Sequence, residues 1–464
     1  LSDWTSPVLS NEQLEYAAAD VMFQAALHTE LLTRLENRGL TEVAKLECAI
    51  LPAIVEMRKN GVLIDKAQWV ERTIRAETRE CELNTQLKEV LPLPPEMPLK
   101  LIRINKNGLP RKADEKHNLK AINYNATRQW NLSSHTQLKQ AFKGIGIDLP
   151  DTTYETLVGM KAQHPILDLL IEWKEKDKEA TTFGMEWLKN IRPDTGRVHP
   201  DWRQLGARSG RMACADPNLQ QILRGECRKG FTSPDGYTLV RADFSQIEAR
   251  IAAKVSGDPV MLELFQSGRD ILVYAAREVL QKQEINKDER QIGKSLVFGL
   301  LFSMGVTSLR AYCRINYGVT MSQGEAEIFR TRFFKAFPGL AAWHRKVQRT
   351  CETQTDFRTL LGRRRVVNIK RDYGRMGIGL NHPVQGTASD LIKMVVRELW
   401  DCRNEGPEAK LVMLVHDEIV SEVREDLADE YAKWLKGIMI EVGNKLLDPV
   451  PVDAEIKIGR TWYG

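Results

Sequence analysis

Apolar residues recur every three or four positions near the start of the chain, which is the spacing of one helix face. The pattern predicts a helix over residues 10–38, with Ser10 as its N-cap and Gly39 as its end, and a second helix over 43–59. From about 66 to 190 the sequence is again amphipathic and rich in charge, with a Pro-rich break and a basic segment inside it. This part of the chain predicts an elongated helical lobe with an insertion.

The pattern changes after Gly196, where turn residues separate short runs of β-branched and aromatic residues. Residues 237–242 predict a strand, and residues 245–350 return to helical spacing. Because the predicted strands come from distant parts of the chain, we expect an α+β fold whose sheet is assembled from separate segments. The remaining predicted elements are two strands at 411–415 and 418–423, a helix at 425–446 and a last strand at 452–458.

Length and charge leave several classes of protein open. At 464 residues the chain is long enough for about three lobes. The 67 Lys and Arg residues exceed the 62 Asp and Glu residues by only five, which is too small a surplus to identify a polyanionic partner. Basic residues cluster between 100 and 120 and again between 363 and 375. Taken alone, each cluster fits a phosphate-facing surface and a solvated charged face equally well.

Cysteines and apolar segments restrict the setting in which the protein works. The seven cysteines form no Cys-x-x-Cys pair and no spacing typical of zinc sites, which favours a reducing compartment. No stretch approaches the roughly 18 apolar residues of a membrane helix, and the first thirty residues lack a signal pattern. The chain begins with Leu1, so we interpret it as a fragment or processed form of a cytoplasmic protein.

The first candidate site directly follows the strand predicted at 237–242. Asp243 stands at the end of that strand, where an acidic side chain can hold a metal ion, and Glu248 follows within the first turn of the next helix. A purely structural explanation also exists, because Ser245-x-x-Glu248 matches a capping box. The two explanations are compatible.

The second candidate site is the tip of the hairpin predicted near the C-terminus, where Asp417 and Glu418 are adjacent. Hairpin turns favour Asp for conformational reasons alone, and without further information that explanation is preferred. If the hairpin pairs beside the strand at 237–242, however, Asp243 and Asp417 converge and need a cation or a raised pKa. Oxygen ligands with open positions favour Mg²⁺, and two such ions can clamp a phosphoryl transfer.

The third candidate site is a stripe on a helix that Asn286 can cap with Glu289. Cations near the helix start would meet phosphates, and aromatic residues further along would meet a sugar and a base. A basic and then apolar amphipathic helix explains the same pattern and is preferred if the stripe stands alone. The stripe consists of Arg290, Lys294, Phe298 and Phe302, spaced four residues apart.

Together the three sites resemble the family A DNA polymerases, the group of bacterial DNA polymerase I and many phage replicases. The resemblance runs from about Glu47 to Gly464 and includes the three motifs of that family in order. They are Asp243-Phe-Ser-Gln-Ile-Glu248, Arg290-x-x-x-Lys294-x-x-x-Phe298-Gly299 and Val415-His-Asp-Glu418, and the connecting matches are Thr195-Gly-Arg-Val-His199, Gly210-Arg211, Asp216-Pro-Asn-Leu-Gln220 and Asn381-x-Pro-x-Gln385-Gly386-Thr387.

The resemblance implies a right-hand polymerase fold with an antiparallel-sheet palm, helical fingers and a helical thumb. Residues 1–45 resemble the tail of a 3′–5′ exonuclease domain, whose earlier carboxylate motifs have no counterpart here. The implied boundaries are a lead-in at 46–66, a thumb at 67–190 with a basic insertion near 92–125, palm segments at 191–259 and 376–464, and fingers at 260–375. We expect the insertion to grip duplex backbone without sequence preference.

The resemblance also implies a role for each matching residue. The metal ligands would be Asp243, Asp417 and the Phe244 carbonyl, for two Mg²⁺ ions that Mn²⁺ can replace. Glu418 and Lys294 would join the two aspartates as catalytic residues. The nucleotide-binding residues would be Arg290, Lys294, Phe298, Phe302, Glu248 and Gln246, and the primer-contacting or template-contacting residues Arg211, Gln385, His416 and Asn381.

The implied function is a DNA-directed DNA polymerase that adds dNTPs to a primer 3′ end, with no proofreading in this chain. We expect a monomer that binds a primer-template duplex and no membrane, in the cytoplasm of a bacterial cell or a phage-infected host. A single-subunit RNA polymerase is disfavoured, because Glu248 and Phe298 would fill the space of a ribose 2′-hydroxyl. An inactive DNA-binding module is disfavoured because none of the metal-binding acids of the polymerase motifs is missing. A proofreading nuclease is disfavoured because the acids that it needs are missing from this chain.

Overall fold

The structure is a computed structural model that describes residues 3–92 and 131–463. The basic insertion predicted near 92–125 falls outside the described residues, except for its first residue. The chain divides into two compact units. The first unit comprises Leu1–Ile64, Asn190–Leu309 and Gln323–Gly464, and the second comprises Asp65–Lys189 and Arg310–Ser322.

The α-helices among the described residues, in chain order, are α1 (Asn11–Met22), α2 (Gln24–Asn37), α3 (Thr41–Ala49), α4 (Leu51–Asn60), α5 (Lys66–Val90), α6 (His135–Gly144), α7 (Tyr154–Met160), α8 (Ile166–Thr181), α9 (Glu226–Lys229), α10 (Ile247–Ser256), α11 (Pro259–Gln266), α12 (Ile271–Leu280), α13 (Lys287–Leu300), α14 (Val306–Tyr317), α15 (Gln323–Ala336), α16 (Pro338–Thr350), α17 (Arg375–Asn381), α18 (Thr387–Asp401) and α19 (Ala428–Leu447). The strands are β1 (Val62–Ile64), β2 (Arg197–Val198), β3 (Asp201–Arg203), β4 (Ala213–Ala215), β5 (Phe231–Thr232), β6 (Tyr237–Phe244), β7 (Asp356–Arg358), β8 (Arg364–Val366), β9 (Ala409–Val415), β10 (Glu418–Arg424) and β11 (Ala454–Gly459).

Both helices predicted near the start of the chain are interrupted. Ser10 caps α1 as expected, in a capping box with Gln13, but the helix ends before Phe23 and α2 follows. Neither helix buries a side chain, so no packing holds the two in one continuous rod. The helix predicted at 43–59 divides at Ile50, because Pro52 in the first turn of α4 lacks an N–H and its ring crowds the preceding turn.

The sheet that carries the candidate site has the strand order β11-β6-β10-β9, with every neighbouring pair antiparallel. The predicted hairpin therefore does pair beside the strand at 237–242, which extends to Phe244. Most residues of β6 are buried, because β6 lies inside the sheet and α19 packs on it. This placement confirms the conditional prediction that the two acidic motifs converge.

The second unit has its own apolar core. The long helix α5 packs along α8, and the core side chains of the two helices meet those of α6. Trp69 stacks on Trp187 with ring centroids 4.1 Å apart. The buried members of this core include Leu83, Leu87, Phe142, Leu167 and Trp173. None of the described helices of the chain combines the length and apolar character needed to cross a membrane.

Candidate active site

Acidic side chains meet where three strands of the main sheet lie side by side. Asp243 near the end of β6 pairs with Glu418 of β10 on one side and with Glu455 of β11 on the other. Directly paired residues point to the same face of a sheet, so the three carboxylates form a row, and Asp417 precedes Glu418 at its edge. We call Glu455, Asp243, Glu418 and Asp417 the carboxylate row.

The electrostatics of the carboxylate row favour proton or cation binding. Asp243 opens to solvent on one side, but partial burial and the neighbouring carboxylates of Asp417, Glu418 and Glu455 raise its pKa to about 6. Burial also raises the pKa of Asp417, although Arg211 and His416 counteract the rise. Because like charges this close repel one another, a cation among them would be stabilising.

Unusual backbone conformations flank both aspartates. Gln246 has φ 55° and His416 has φ 57°, so each non-glycine residue adopts the left-handed conformation at a cost of about 1 kcal/mol. The two-residue turn between β9 and β10 thus places its conformational demand on His416, not on Asp417. Strain of this kind in a folded protein is often found at functional sites.

The capping-box explanation of Glu248 is wrong. The N-cap of α10 is Gln246, which makes no side-chain cap, and the Gln246 Oε1 atom is buried without a hydrogen-bond partner among the described residues. Glu248 instead accepts a hydrogen bond from Arg211 at 3.1 Å. Burial is the main cause that raises the pKa of Glu248, and Arg211 opposes it. Glu248 is therefore held by a partner from a distant segment.

Glu418 is held by donors from other segments. Trp462 donates its indole N–H to Glu418 at 3.2 Å, and Arg228 lies 3.7 Å from the same carboxylate oxygen. The Arg228 guanidinium also lies over the Trp462 ring, 3.9 Å from its centroid. These contacts fix Glu418 at the edge of the site. Glu418 thus differs from Asp243 and Asp417, which form no ion pair with a described residue.

A cleft of about 440 Å³ opens on the carboxylate row and exposes residues that sequence reasoning missed. Two cationic residues among them lie on the same face of the sheet as the carboxylate row. Arg241, two positions before Asp243 on β6, pairs with Lys457, two positions after Glu455 on β11. A single charged residue within a strand has no local signature, and only the strand register identifies it. The missed lining residues include Arg224, Arg228, Arg241, Glu455, Lys457 and Trp462.

The predicted cap and most of the predicted stripe are present on α13. Asn286 and Glu289 form the capping box, and Arg290 donates from Nε to Asp270 at 2.8 Å. Lys294 and Phe298 are half-buried on the same helix. Gly293 lets α13 approach α12, because a Cβ there would lie 2.1 Å from the Leu272 carbonyl oxygen.

Phe302 does not lie on the helix, and that part of the prediction is wrong. Helix α13 ends at Leu300, and Phe302 occupies the turn that follows. Its side chain packs against an apolar cluster that includes Val347 and Phe357. The apolar residue at position 302 fits the four-residue spacing of the helix, but the structure uses it to pack against this cluster.

Asn381 and Gln385 occupy a helical irregularity that the sequence analysis did not predict. Asn381 is the last residue of α17, and Gln385 lies in the π-helix His382–Gly386 that joins α17 to α18. Pro383 is the signal that was available, because a proline inside a helix removes a hydrogen bond and forces a local change. Short π-helical segments of this kind frequently occur at functional sites.

The donor set can be tested against a divalent cation. No group of three or more His, Cys, Asp or Glu side chains within 3–92 and 131–463 is arranged so that it could hold a metal ion by itself. Mg²⁺ does not need such a group, because it is commonly bound by one or two carboxylates together with waters and substrate phosphates. Asp243 and Asp417 supply two such carboxylates at an open cleft, so the residues fit Mg²⁺.

Comparisons with known proteins show which family the chain resembles. Residues 106–464 match the family described as DNA polymerase family A. The chain is 33% identical to DNA polymerase I of Aquifex aeolicus over 490 aligned positions, which cover 99% of this chain and 77% of that protein. It is 32% identical to the thermostable DNA polymerase I of Thermus aquaticus over 73% of this chain and 42% of that protein.

A solved structure shows the same fold. The polymerase domain of Pol1 from M. smegmatis, in complex with DNA primer-template and dNTP, superposes with a TM-score of 0.75 at 22% identity. The match covers 93% of this chain and 73% of that domain. DNA polymerase I of Pseudomonas aeruginosa is 28% identical over 96% of this chain, which spans 47% of that protein. The chain therefore aligns with less than half of the Thermus aquaticus and Pseudomonas aeruginosa proteins.

Proposed function

The chain belongs to DNA polymerase family A, and from this premise we propose that it is a DNA-directed DNA polymerase. The primer 3′-oxygen attacks the α-phosphorus of a dNTP, and pyrophosphate leaves. The observation that carries the proposal is the register that places Asp243 beside Glu418, with Asp417 next to it. Such a reaction needs charge stabilisation and positioning more than covalent chemistry from the protein.

Asp243, Asp417 and the Phe244 carbonyl would hold two Mg²⁺ ions, which Mn²⁺ can replace. When bound, the ions would stabilise the charge on the attacking and leaving oxygens. Glu418 would act through its position, since Trp462 and Arg228 already engage its carboxylate. The raised pKa of Asp243 supports this assignment, because a carboxylate that resists ionisation among its neighbours gains most from a cation.

Arg290 and Lys294 would bind the triphosphate, with Lys294 near the leaving pyrophosphate as a catalytic residue. Asp270 holds the Arg290 Nε, and 40% of the Arg290 side chain remains exposed, so the guanidinium is oriented and still open to solvent. Phe298 would lie against the incoming sugar and base. Phe302 would contribute from the turn after α13 and not from the helix face.

Glu248 and Gln246 would line the sugar pocket beneath the 2′ position. The ion pair between Glu248 and Arg211 supports this role, because it fixes the carboxylate beside the segment that carries Arg211. Arg211, Gln385, Asn381 and His416 would contact the primer terminus or the template. Minor-groove acceptors occur on every base pair, so such contacts can detect correct pairing without reading sequence.

The same proposal extends to domain roles and setting. Residues 67–190 would form the thumb, 260–375 the fingers, and 191–259 with 376–464 the palm, with 46–66 leading into it. We further propose a monomer in the cytoplasm whose chain does not remove mismatched primer ends. Asp20 supports the last point, because it is exposed on α1 and a two-metal nuclease needs several converging acids.

Primer extension tests the proposal. Asp243→Ala and Asp417→Ala are expected to abolish dNTP addition in Mg²⁺ while primer-template binding persists, since Lys and Arg contacts to phosphate supply most of the affinity. Lys445→Ala, on the exposed face of α19, serves as the control and should extend like the parent. Substantial extension by either aspartate variant would refute the site, and parallel assays with NTPs would reveal an RNA polymerase.

A further inference from the structure

Four charged side chains outside the proposed catalytic site form a continuous chain of ion pairs in the interior of the first unit. Arg363 donates from Nε to Asp390 at 2.6 Å and from its terminal nitrogen to Glu47. Lys393 donates to the same Glu47 oxygen at 2.6 Å. All four side chains are at most 10% exposed. We call Glu47, Arg363, Asp390 and Lys393 the buried ion network.

The buried ion network is balanced and its acceptors are satisfied. Two positive and two negative groups cancel, and neutral donors complete the hydrogen bonds. Thr359 donates to the second oxygen of Asp390, and Gln204 donates to the second oxygen of Glu47, each at 2.6 Å. A fully satisfied polar network of this kind rigidifies the segments that contribute to it.

The segment that carries Arg211 is packed against the network. Gly210 has φ +90° and lies against Arg363, so that a Cβ at Gly210 would come within 2.5 Å of the Arg363 Cδ. Ser389, the residue before Asp390, donates to the Gly210 carbonyl at 2.8 Å. The backbone on the N-terminal side of Arg211 is therefore held by Arg363 and by the first turn of α18.

A second segment leads to Gln385. His382, at the start of the π-helix, donates from Nε2 to the Arg363 carbonyl at 3.0 Å. Thr387, at its end, accepts from the Leu360 N–H at 3.0 Å. The π-helix is thus fixed at both ends to the loop that carries Thr359 and Arg363, and Gln385 lies between these two attachments.

We propose that the buried ion network is a positioning device that sets Arg211 and Gln385 against the primer terminus. This inference rests on the proposed function and adds to it the residues that determine how well a correct terminal pair is sensed. A network that only stabilised the fold would lower stability when broken but would treat matched and mismatched primers alike. The positioning role instead predicts a selective loss for matched primers, since only they make the full set of contacts.

The test uses Arg363→Lys, which keeps the charge but cannot bridge Glu47 and Asp390 with a planar fork. Single-nucleotide addition is measured on matched and mismatched primers. We expect kcat/KM on matched primers to fall by roughly 10-fold to 100-fold, as misplacement by about 1 Å can cost 100-fold. The value on mismatched primers should fall several-fold less, so that discrimination decreases. Hydrogen exchange of the amides at 207–211 and 382–386 should become faster.

Arg197→Lys is the control, because the largely buried Arg197 pairs with Glu422 through one terminal nitrogen, at 2.9 and 2.7 Å from the two carboxylate oxygens, outside the network. It should lose stability but keep the parent's discrimination. Glu47→Gln, which preserves size, gives a milder second variant should Arg363→Lys fail to fold. Unchanged discrimination in folded Arg363→Lys and Glu47→Gln would overturn the positioning role. A parent protein that extends no primer would overturn the proposed function itself.

Discussion

The carboxylate row and the buried ion network lie in the same unit but differ in how their acidic side chains are partnered. In the network every carboxylate meets a cation within hydrogen-bond distance, and all four side chains are buried. In the row Asp243 and Asp417 form no ion pair with a described residue, and their neighbours include further carboxylates. The row also faces a cleft.

The difference separates two uses of a buried or half-buried acid. Charged groups that are already paired with one another offer no free charge to a ligand. Breaking such a set is costly, because the loss of one partner leaves a buried charge uncompensated. An unmatched set costs stability in the free protein but gives it back when a cation binds. Burial alone therefore does not identify a functional acid, whereas the absence of a partner at an open cleft does.

The largest expected effect comes from replacing one aspartate by asparagine, once in the carboxylate row and once in the buried ion network. Asp417→Asn should reduce primer extension by roughly 1,000-fold or more without lowering the melting temperature, since metal stabilisation of the transition state is worth several kcal/mol. Asp390→Asn should have the opposite pattern of effects, with a clearly lower melting temperature but primer extension that is still measurable. Calorimetry and extension rates on both variants decide the matter. Parent-level extension by Asp417→Asn would contradict the comparison.

The next effect concerns stability. Lys393→Met leaves Glu47 with one cation fewer in a buried site and should lower the free energy of unfolding by about 3–5 kcal/mol. Lys445→Met is the control, because Lys445 pairs with Glu441 at 2.7 Å on an exposed surface, where a pair is worth about 0–1 kcal/mol. Urea denaturation of the two variants measures both values. Equal losses would show that burial does not distinguish these pairs.

Glu248 sharpens the comparison, because it is a half-buried carboxylate with a single partner, Arg211. Glu248→Ala should open space beneath the sugar and raise the preference for NTP relative to dNTP by about 10-fold to 100-fold, equivalent to about 1–3 kcal/mol. Glu248→Gln retains the bulk and should change the ratio much less. The ratio of kcat/KM values for NTP and dNTP is the measurement. An unchanged ratio in Glu248→Ala would remove Glu248 from the sugar pocket.

The smallest effect is a pH dependence in the metal-free protein. The pKa of Asp243 is about 6 in the folded state against an ordinary value of 3.8, so stability from this group is present below pH 3.8 and lost as pH rises to about 6. Asp243→Asn should therefore be more stable than the parent above pH 6, by about 1 kcal/mol after solvent screening, and equal to it below pH 4. Thermal denaturation with a chelator between pH 4 and 8 tests this.

Asp453→Asn is expected to change stability in the opposite direction. A hydrogen bond from Lys436 lowers the pKa of Asp453, so its stabilising contribution is present above the ordinary pKa and lost as pH falls. That variant should be less stable than the parent at pH 8. If Asp243→Asn, like Asp453→Asn, is less stable than the parent at pH 8, the carboxylate row is not under charge repulsion.

The fold was predictable where apolar spacing is strong and local. The hairpin β9-β10 and the cap at Asn286 were evident from adjacent residues. The pairing of β11 with β6 was not, because it joins residues about 210 positions apart and the strand pattern does not name its partner. The division of the helix at 43–59 had a signal in Pro52, whereas the break at Phe23 had none.

The site was predictable as far as motifs carry it. Asp243 and Asp417 followed from the sequence once the hairpin was paired with β6, but Glu455 required the register of a third strand. The left-handed conformation of Gln246 and His416 could not be predicted, because neither residue is glycine and tertiary contacts impose it. The partners of Arg363 likewise come from sites 27 and 316 positions away.

Binding of Mn²⁺ measured by electron paramagnetic resonance tests the central claim most directly. The parent, mixed with primer-template and a dNTP that cannot react, should bind two Mn²⁺ ions that Mg²⁺ displaces. Asp243→Asn and Asp417→Asn should each lose at least one of these ions, while Asp390→Asn, equally a loss of one carboxylate, should keep both. Retention of both ions by the two active-site variants, or loss of an ion in Asp390→Asn alone, would contradict the account.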